Sequence, residues 1–188
     1  MVRFFWIILI SLIPACKQPI TQNSLAATIP NYTTPAPAHL PQPLTDYFKS
    51  TFPQWRVVEK SDFSTTWWSF YDSSYNPCWA RTDINDDQLA DYAVWLKNNA
   101  QYKLVICMGA TTNSFTHYII DDIHTTNNNG EHQLETGVAV APPAQIDVVL
   151  PHIQSLVLQS NGFVLMELEI RTRIYYWQND SLQTFYMK

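Results

Sequence analysis

The sequence predicts an α+β fold that is mainly β: an antiparallel sheet of hairpins and meander with a short N-terminal helix. Three observations carry this. Residues 163–177 alternate, with Val164, Met166, Leu168, Ile170, Ile174 and Tyr176 on one face and Glu167, Glu169, Arg171 and Arg173 on the other, the period of two that belongs to an extended strand. Two apolar runs, 92–96 and 102–108, flank Lys97-Asn98-Asn99-Ala100-Gln101 as the arms of a hairpin. Thr45-Asp46 ahead of Tyr47, Phe48 and Phe52, closed by Pro53, supplies the N-cap, the first-turn acid and the stop of a short helix.

Composition supports an ordered domain. The 7 Trp, 10 Tyr and 9 Phe nearly match in number the 11 basic and 16 acidic residues of this 188-residue chain, and disordered chains are poor in aromatics. A net charge of -5 with no Lys/Arg run speaks against nucleic acid as a partner, because phosphate binding needs clustered cations. With 4 Gly and 3 Cys, glycine-loop nucleotide binding and a disulfide scaffold find no support.

In chain order, Arg3 precedes an apolar run over 4–13 that ends in Ile13-Pro14-Ala15-Cys16. The run is too short for a permanent transmembrane helix and suits a signal-peptide core over 1–15. A small residue before Cys16 resembles the lipobox of bacterial lipoproteins, and the resemblance implies cleavage before Cys16 and its lipidation. Lys17, rather than aspartate, then implies sorting to the outer membrane, facing the periplasm or the surface. Stable anchoring takes more than one acyl chain, as the resemblance also implies. Residues 16–44 follow as a tether with prolines at 19, 30, 35, 37, 41 and 43 and almost no charge or aromatic, too polar and too broken to fold alone. The domain spans 45–188, long enough for one core.

Within it, Thr65-Thr66-Trp67-Trp68-Ser69-Phe70, with Tyr71 and Tyr75, concentrates aromatics. If extended, Trp67 and Trp68 point to opposite faces, so one of them is a candidate contact for a protein or envelope partner. Cys78 and Cys107 fall on predicted strands of an exported chain, so a disulfide between them and two buried free thiols are both open. A strand is expected over 115–120, a surface loop at Asn127-Asn128-Asn129-Gly130, and a break in pairing at Ala141-Pro142-Pro143-Ala144. Leu156-Val157-Leu158 is expected to pair with 163–177, bent near Arg171-Thr172, and Leu182 to Tyr186 completes a three-strand meander.

One segment has chemistry in its spacing. Asp83, Asn85, Asp87 and Asp91 occupy loop positions 1, 3, 5 and 9 of residues 83–91, from which oxygens can converge on Ca²⁺. The loop resembles the D-x-N-G-D-G-x-x-D loops of FG-GAP and VCBS-type repeats. It also resembles a set of uncharacterised bacterial exported lipoproteins with one such loop before a hairpin and a closing Tyr-Tyr-Trp strand, here Tyr175-Tyr176-Trp177. That resemblance implies a weak structural calcium site and carries no established activity. Asp86 and Gln88 stand where the repeats have glycine, and Val94 stands where an EF-hand has its bidentate Glu, so an EF-hand is excluded. The alternative is an Asp/Asn-rich turn whose side chains cap their own backbone. His117, Asp121, Asp122, His124, Glu131 and His132 lie close in sequence but show no metal-binding spacing. The expectation is a lipid-anchored envelope binding protein with no catalytic residues assigned; a calcium- or zinc-assisted envelope hydrolase is the alternative.

Overall fold

The computed structural model describes residues 39–111, 113–120, 125–128, 131–149 and 153–187; Cys16, the signal segment, most of the tether and Asp121, Asp122 and His124 lie outside them. In chain order the elements are α1 (Gln42–Thr51), β1 (Arg56–Val57), a 3-10 turn (Lys60–Asp62), α2 (Thr65–Phe70), β2 (Trp79–Thr82), β3 (Asp91–Asn98), β4 (Gln101–Thr111), β5 (Ser114–Ile120), β6 (Thr125–Asn128), β7 (Glu131–Leu134), β8 (Thr136–Ala141), β9 (Ala144–Val148), β10 (Gln154–Leu158), β11 (Gly162–Glu167), β12 (Arg171–Gln178) and β13 (Ser181–Met187). The mainly β, antiparallel architecture is as the sequence predicts.

The helix begins three residues before the expected cap. Pro43 sits in its first turn, where a missing N–H costs nothing. Thr45 is already inside, its hydroxyl donating to the Pro41 carbonyl at 3.2 Å. Leu44 and Phe48, one turn apart, are the buried face, and Phe52 follows at the C-cap before Pro53 ends the run.

The hairpin of β3 and β4 is the centre of the first sheet, ordered β1-β3-β4-β5. The short β1 takes Leu96 and Lys97 at one end of the open edge of β3, and β2 takes Asp91 to Val94 at the other. Tyr92, Cys107 and His117 are register partners and so lie on one face; α1 covers that face through Tyr47 and Phe52 against Phe115 and His117. The opposite face meets the second sheet, where Tyr118 lies edge-on to Trp177 at 6.5 Å.

The second sheet, β13-β12-β11-β8, corrects the single long strand. Residues 168–170 form a turn with Glu169 at φ 58°, and the chain doubles back. Phe163 pairs with Tyr175, Leu165 with Arg173 and Glu167 with Arg171, so odd residues meet odd residues. A three-residue turn conserves parity, which is why a hairpin reads as one uninterrupted alternation. The charged face is also inverted relative to expectation. Phe163, Leu165, Glu167, Arg173 and Tyr175 are all buried, and the guanidinium of Arg173 lies 2.5 Å from the Glu167 carboxylate.

Leu156 to Leu158 do not join this sheet; β10 pairs with β9 as a separate hairpin, entered through the Pro142-Pro143 break. Its inner residues, Leu156 and Leu158, close a second core with Ala141 and Ile174. The meander at the chain end is therefore β11, β12 and β13. Asn127 and Asn128, expected in a loop, belong to β6, which pairs with β7.

Candidate functional site

The loop 83–91 joins β2 to β3, and its polar side chains turn towards backbone rather than outward. The Asp83 carboxylate accepts from the N–H of Asp87 at 3.2 Å and of Gln88 at 2.8 Å. Asn85 donates its amide to Asp87 at 2.9 Å, and Asp87 accepts from the Leu89 N–H at 2.8 Å. The bonds from backbone N–H groups are local side-chain turns of the kind Asp and Asn favour, and the Asn85 bond joins two side chains. The structure thus brings Asp83, Asn85 and Asp87 together and separates Asp91, which is fully buried at the start of β3. There Asp91 accepts from the Ile84 N–H at 2.8 Å on one oxygen and from the Gly109 N–H at 2.8 Å on the other. Burial pushes its carboxyl up to about 6, against the lowering effect of these two bonds.

The two departures from the glycine pattern lie at the left-handed positions of the loop. Asp86 has φ 58° and Gln88 φ 68°, conformations that glycine adopts without strain and that cost other residues on the order of 1 kcal/mol. Asp86 is held by the hydroxyl of Ser160, which donates to its carboxylate from the connection before β11. Gly109 allows the loop to settle on β4: a Cβ there would lie 2.9 Å from that of Leu89. Among the described residues, no three His, Cys, Asp or Glu side chains form a group that could hold a metal ion.

One further expectation is corrected. Residues 65–70 are helical, capped by the Ser64 hydroxyl on the Trp67 N–H at 3.0 Å, so the strand argument for an outward Trp67 does not apply. Trp67 is fully buried, stacked on Tyr71 at 4.1 Å and pressed on Gly137, where a Cβ would meet its ring at 2.4 Å. Trp68 is half-buried, donating its indole N–H to the Lys60 carbonyl at 3.2 Å. Trp67 is therefore a structural element, while Trp68 and the exposed Phe70 stand at the surface of that helix.

Cys78 and Cys107 are free thiols, both buried. The Cys78 carbonyl accepts from Trp95 N–H on β3, whereas Cys107 lies on β4 opposite Tyr92. Two strand spacings, about 10 Å, and a further offset along the strands separate them, beyond the roughly 7 Å limit for a bridge. Burial pushes both thiols up to about 12. His117 belongs to the packing of α1, its Nδ1 2.7 Å from the Tyr47 hydroxyl. His132 is tied in through its carbonyl, which accepts from the Tyr102 hydroxyl at 2.7 Å.

Sequence reasoning passed over Asp62, a carboxylate that two cations and a backbone N–H bond. Arg56 donates to both its oxygens at 2.7 Å, Lys97 to one at 2.7 Å and the Glu59 N–H at 2.9 Å. Burial works to raise its pKa, but the bonds from Arg56 and Lys97 win and lower it to about 2. The available signal was local: the 3-10 turn Lys60–Asp62 carries a reciprocal cap between Glu59 and Asp62. The two cations come from β1 and β3, adjacent only after folding.

No protein-family model matches the chain, and neither a curated protein nor a solved structure shows significant similarity to it.

Proposed function

We propose that the protein is a lipid-anchored binding module of the bacterial cell envelope. The lipobox-like segment at Cys16 holds it to the outer membrane, and the proline-rich residues to 44 set the domain off from that surface. The observation that carries the reading is the outer face of the hairpin of β9 and β10. Val157 of β10 is 63% exposed there, and Val149 and Ile153, which follow β9 and precede β10, are 67% and 84% exposed, while Leu156 and Leu158 of the same hairpin are buried. Exposed apolar residues next to one another on a domain that buries other large apolar side chains in two cores mark a contact surface. The domain's acidic balance directs that contact away from nucleic acid.

The test is capture from envelope extracts on the full-length lipidated chain, native against a Val149→Asp, Ile153→Asp double variant. An envelope component retained by the native protein and lost by the variant supports the reading. Equal retention by both, or none by either, overturns it.

A second reading concerns the loop. Left-handed backbone at Asp86 and Gln88, where the similar repeats have glycine, supports a weak structural calcium site with Asp83, Asn85 and Asp87 as its oxygens. Calorimetry of chelator-treated protein decides it: heat on adding Ca²⁺ together with a rise in Tm supports the site, and no heat makes the loop a plain turn.

A further inference from the structure

At the end of the second sheet nearest the acidic loop a crevice of about 340 Å³ opens, a size in the range of small-molecule sites. We propose that it binds a neutral sugar. The inference rests on the binding-module reading and names a ligand class for a crevice that adjoins the hairpin face, with Val157 shared by both.

The lining has the two parts that sugar recognition needs. Its floor is apolar: the partly exposed Trp177 near the end of β12 and the exposed Val157 of β10. A sugar ring presents C–H groups on its face, and an indole or aliphatic floor is their natural complement. Its rim is amide: Gln159 and Asn161 in the connection from β10 to β11, and Gln178 at the last position of β12. None of these three side chains has a hydrogen-bond partner among the described residues. Each amide offers a donor and an acceptor in one plane, which matches hydroxyls on adjacent ring carbons, themselves donors and acceptors.

Charge narrows the class. Among the described residues, no ionised side chain lines the crevice. Two carboxylates are bonded to its lining, Asp86 through the Ser160 hydroxyl and Asp147 through the Ser155 hydroxyl, and the rest of the Asp86 loop is acidic. A phosphate or carboxylate ligand would find no cation and several carboxylates. No peptide can add to β12 as a strand, since it is paired on both sides, to β11 and β13, while β10, paired to β9 alone, leaves a strand edge there. A neutral polyhydroxylated ring meets both the floor and the rim.

The experiment titrates the full chain with N-acetylglucosamine oligomers and, separately, with glucose oligomers, following tryptophan fluorescence and heat. The expected result is saturable binding of one of these series. Asn161→Ala combined with Gln178→Ala, both rim substitutions outside the cores, should weaken it at least tenfold with Tm unchanged. The Val149→Asp, Ile153→Asp variant should bind sugar like the native chain. No binding of either series, equal binding by the rim variant, or a preference for sulfated over neutral sugars overturns the proposal. Because the hairpin variant is read separately, loss of sugar binding with envelope capture intact fells only the crevice.

Discussion

Asp91 shows how one side chain can serve a different end from the one its spacing suggests. It completes the oxygen pattern of a calcium loop, yet both its oxygens accept from backbone, one from the loop and one from β4. It works as a clasp. Its folded pKa, about 6, lies above the ordinary value of 3.8, so the folded state binds a proton more tightly than the unfolded one. Its contribution to stability is therefore full below pH 3.8 and lost as pH rises through 6, a difference on the order of 3 kcal/mol. Asp62 runs the other way: lowered to about 2, it contributes stability above pH 3.8 that is lost as pH falls towards 2. Urea unfolding should show the native chain more stable at pH 5 than at pH 7, with the difference largely gone in Asp91→Asn. An Asp91→Asn variant that keeps the full difference would assign it elsewhere.

At the scale of elements, the contact between α2 and β8 decides the packing of the aromatic segment. The Ser64 cap starts a helix of only six residues, too short to persist alone. What holds it is the Trp67 ring lying on Gly137, against the side chain of Pro77. Gly137→Ala places a methyl 2.4 Å from that ring, and overpacking of this kind costs about 1–3 kcal/mol or more. Chemical denaturation should show that loss, with Trp67→Leu in the same background recovering part of it. The turn at 168–170 works on the same scale: it converts one apparent strand into two and delivers Glu167 and Arg173 to the interior as a bonded pair. A buried carboxylate left without its guanidinium is strongly destabilising, which accounts for why the pair comes from adjacent strands, where register holds both.

For the whole molecule, the layering of helix, sheet, sheet and hairpin places both thiols inside. Cys78 and Cys107 should resist alkylation in the native protein and both react once it is denatured, by peptide mass mapping. Addition of a reductant should leave Tm unchanged, since no bridge contributes to it; a lower Tm in reductant would contradict the strand offset. Much of this was legible beforehand. The antiparallel β class, the hairpin of β3 and β4 and the break at Pro142-Pro143 follow from period-two patterning and turn residues, which act between near neighbours. The self-capped turn of Asp83, Asn85 and Asp87 was legible for the same reason, because their partners lie within the loop. The burial of Trp67, the clasp of Asp91 on Gly109, the Asp62 cluster and the inward turn of Glu167 and Arg173 were decided by the tertiary structure. Each depends on residues brought together by sheet order and parity across a reversal, and alternation along a chain specifies that two faces exist without specifying what each one meets.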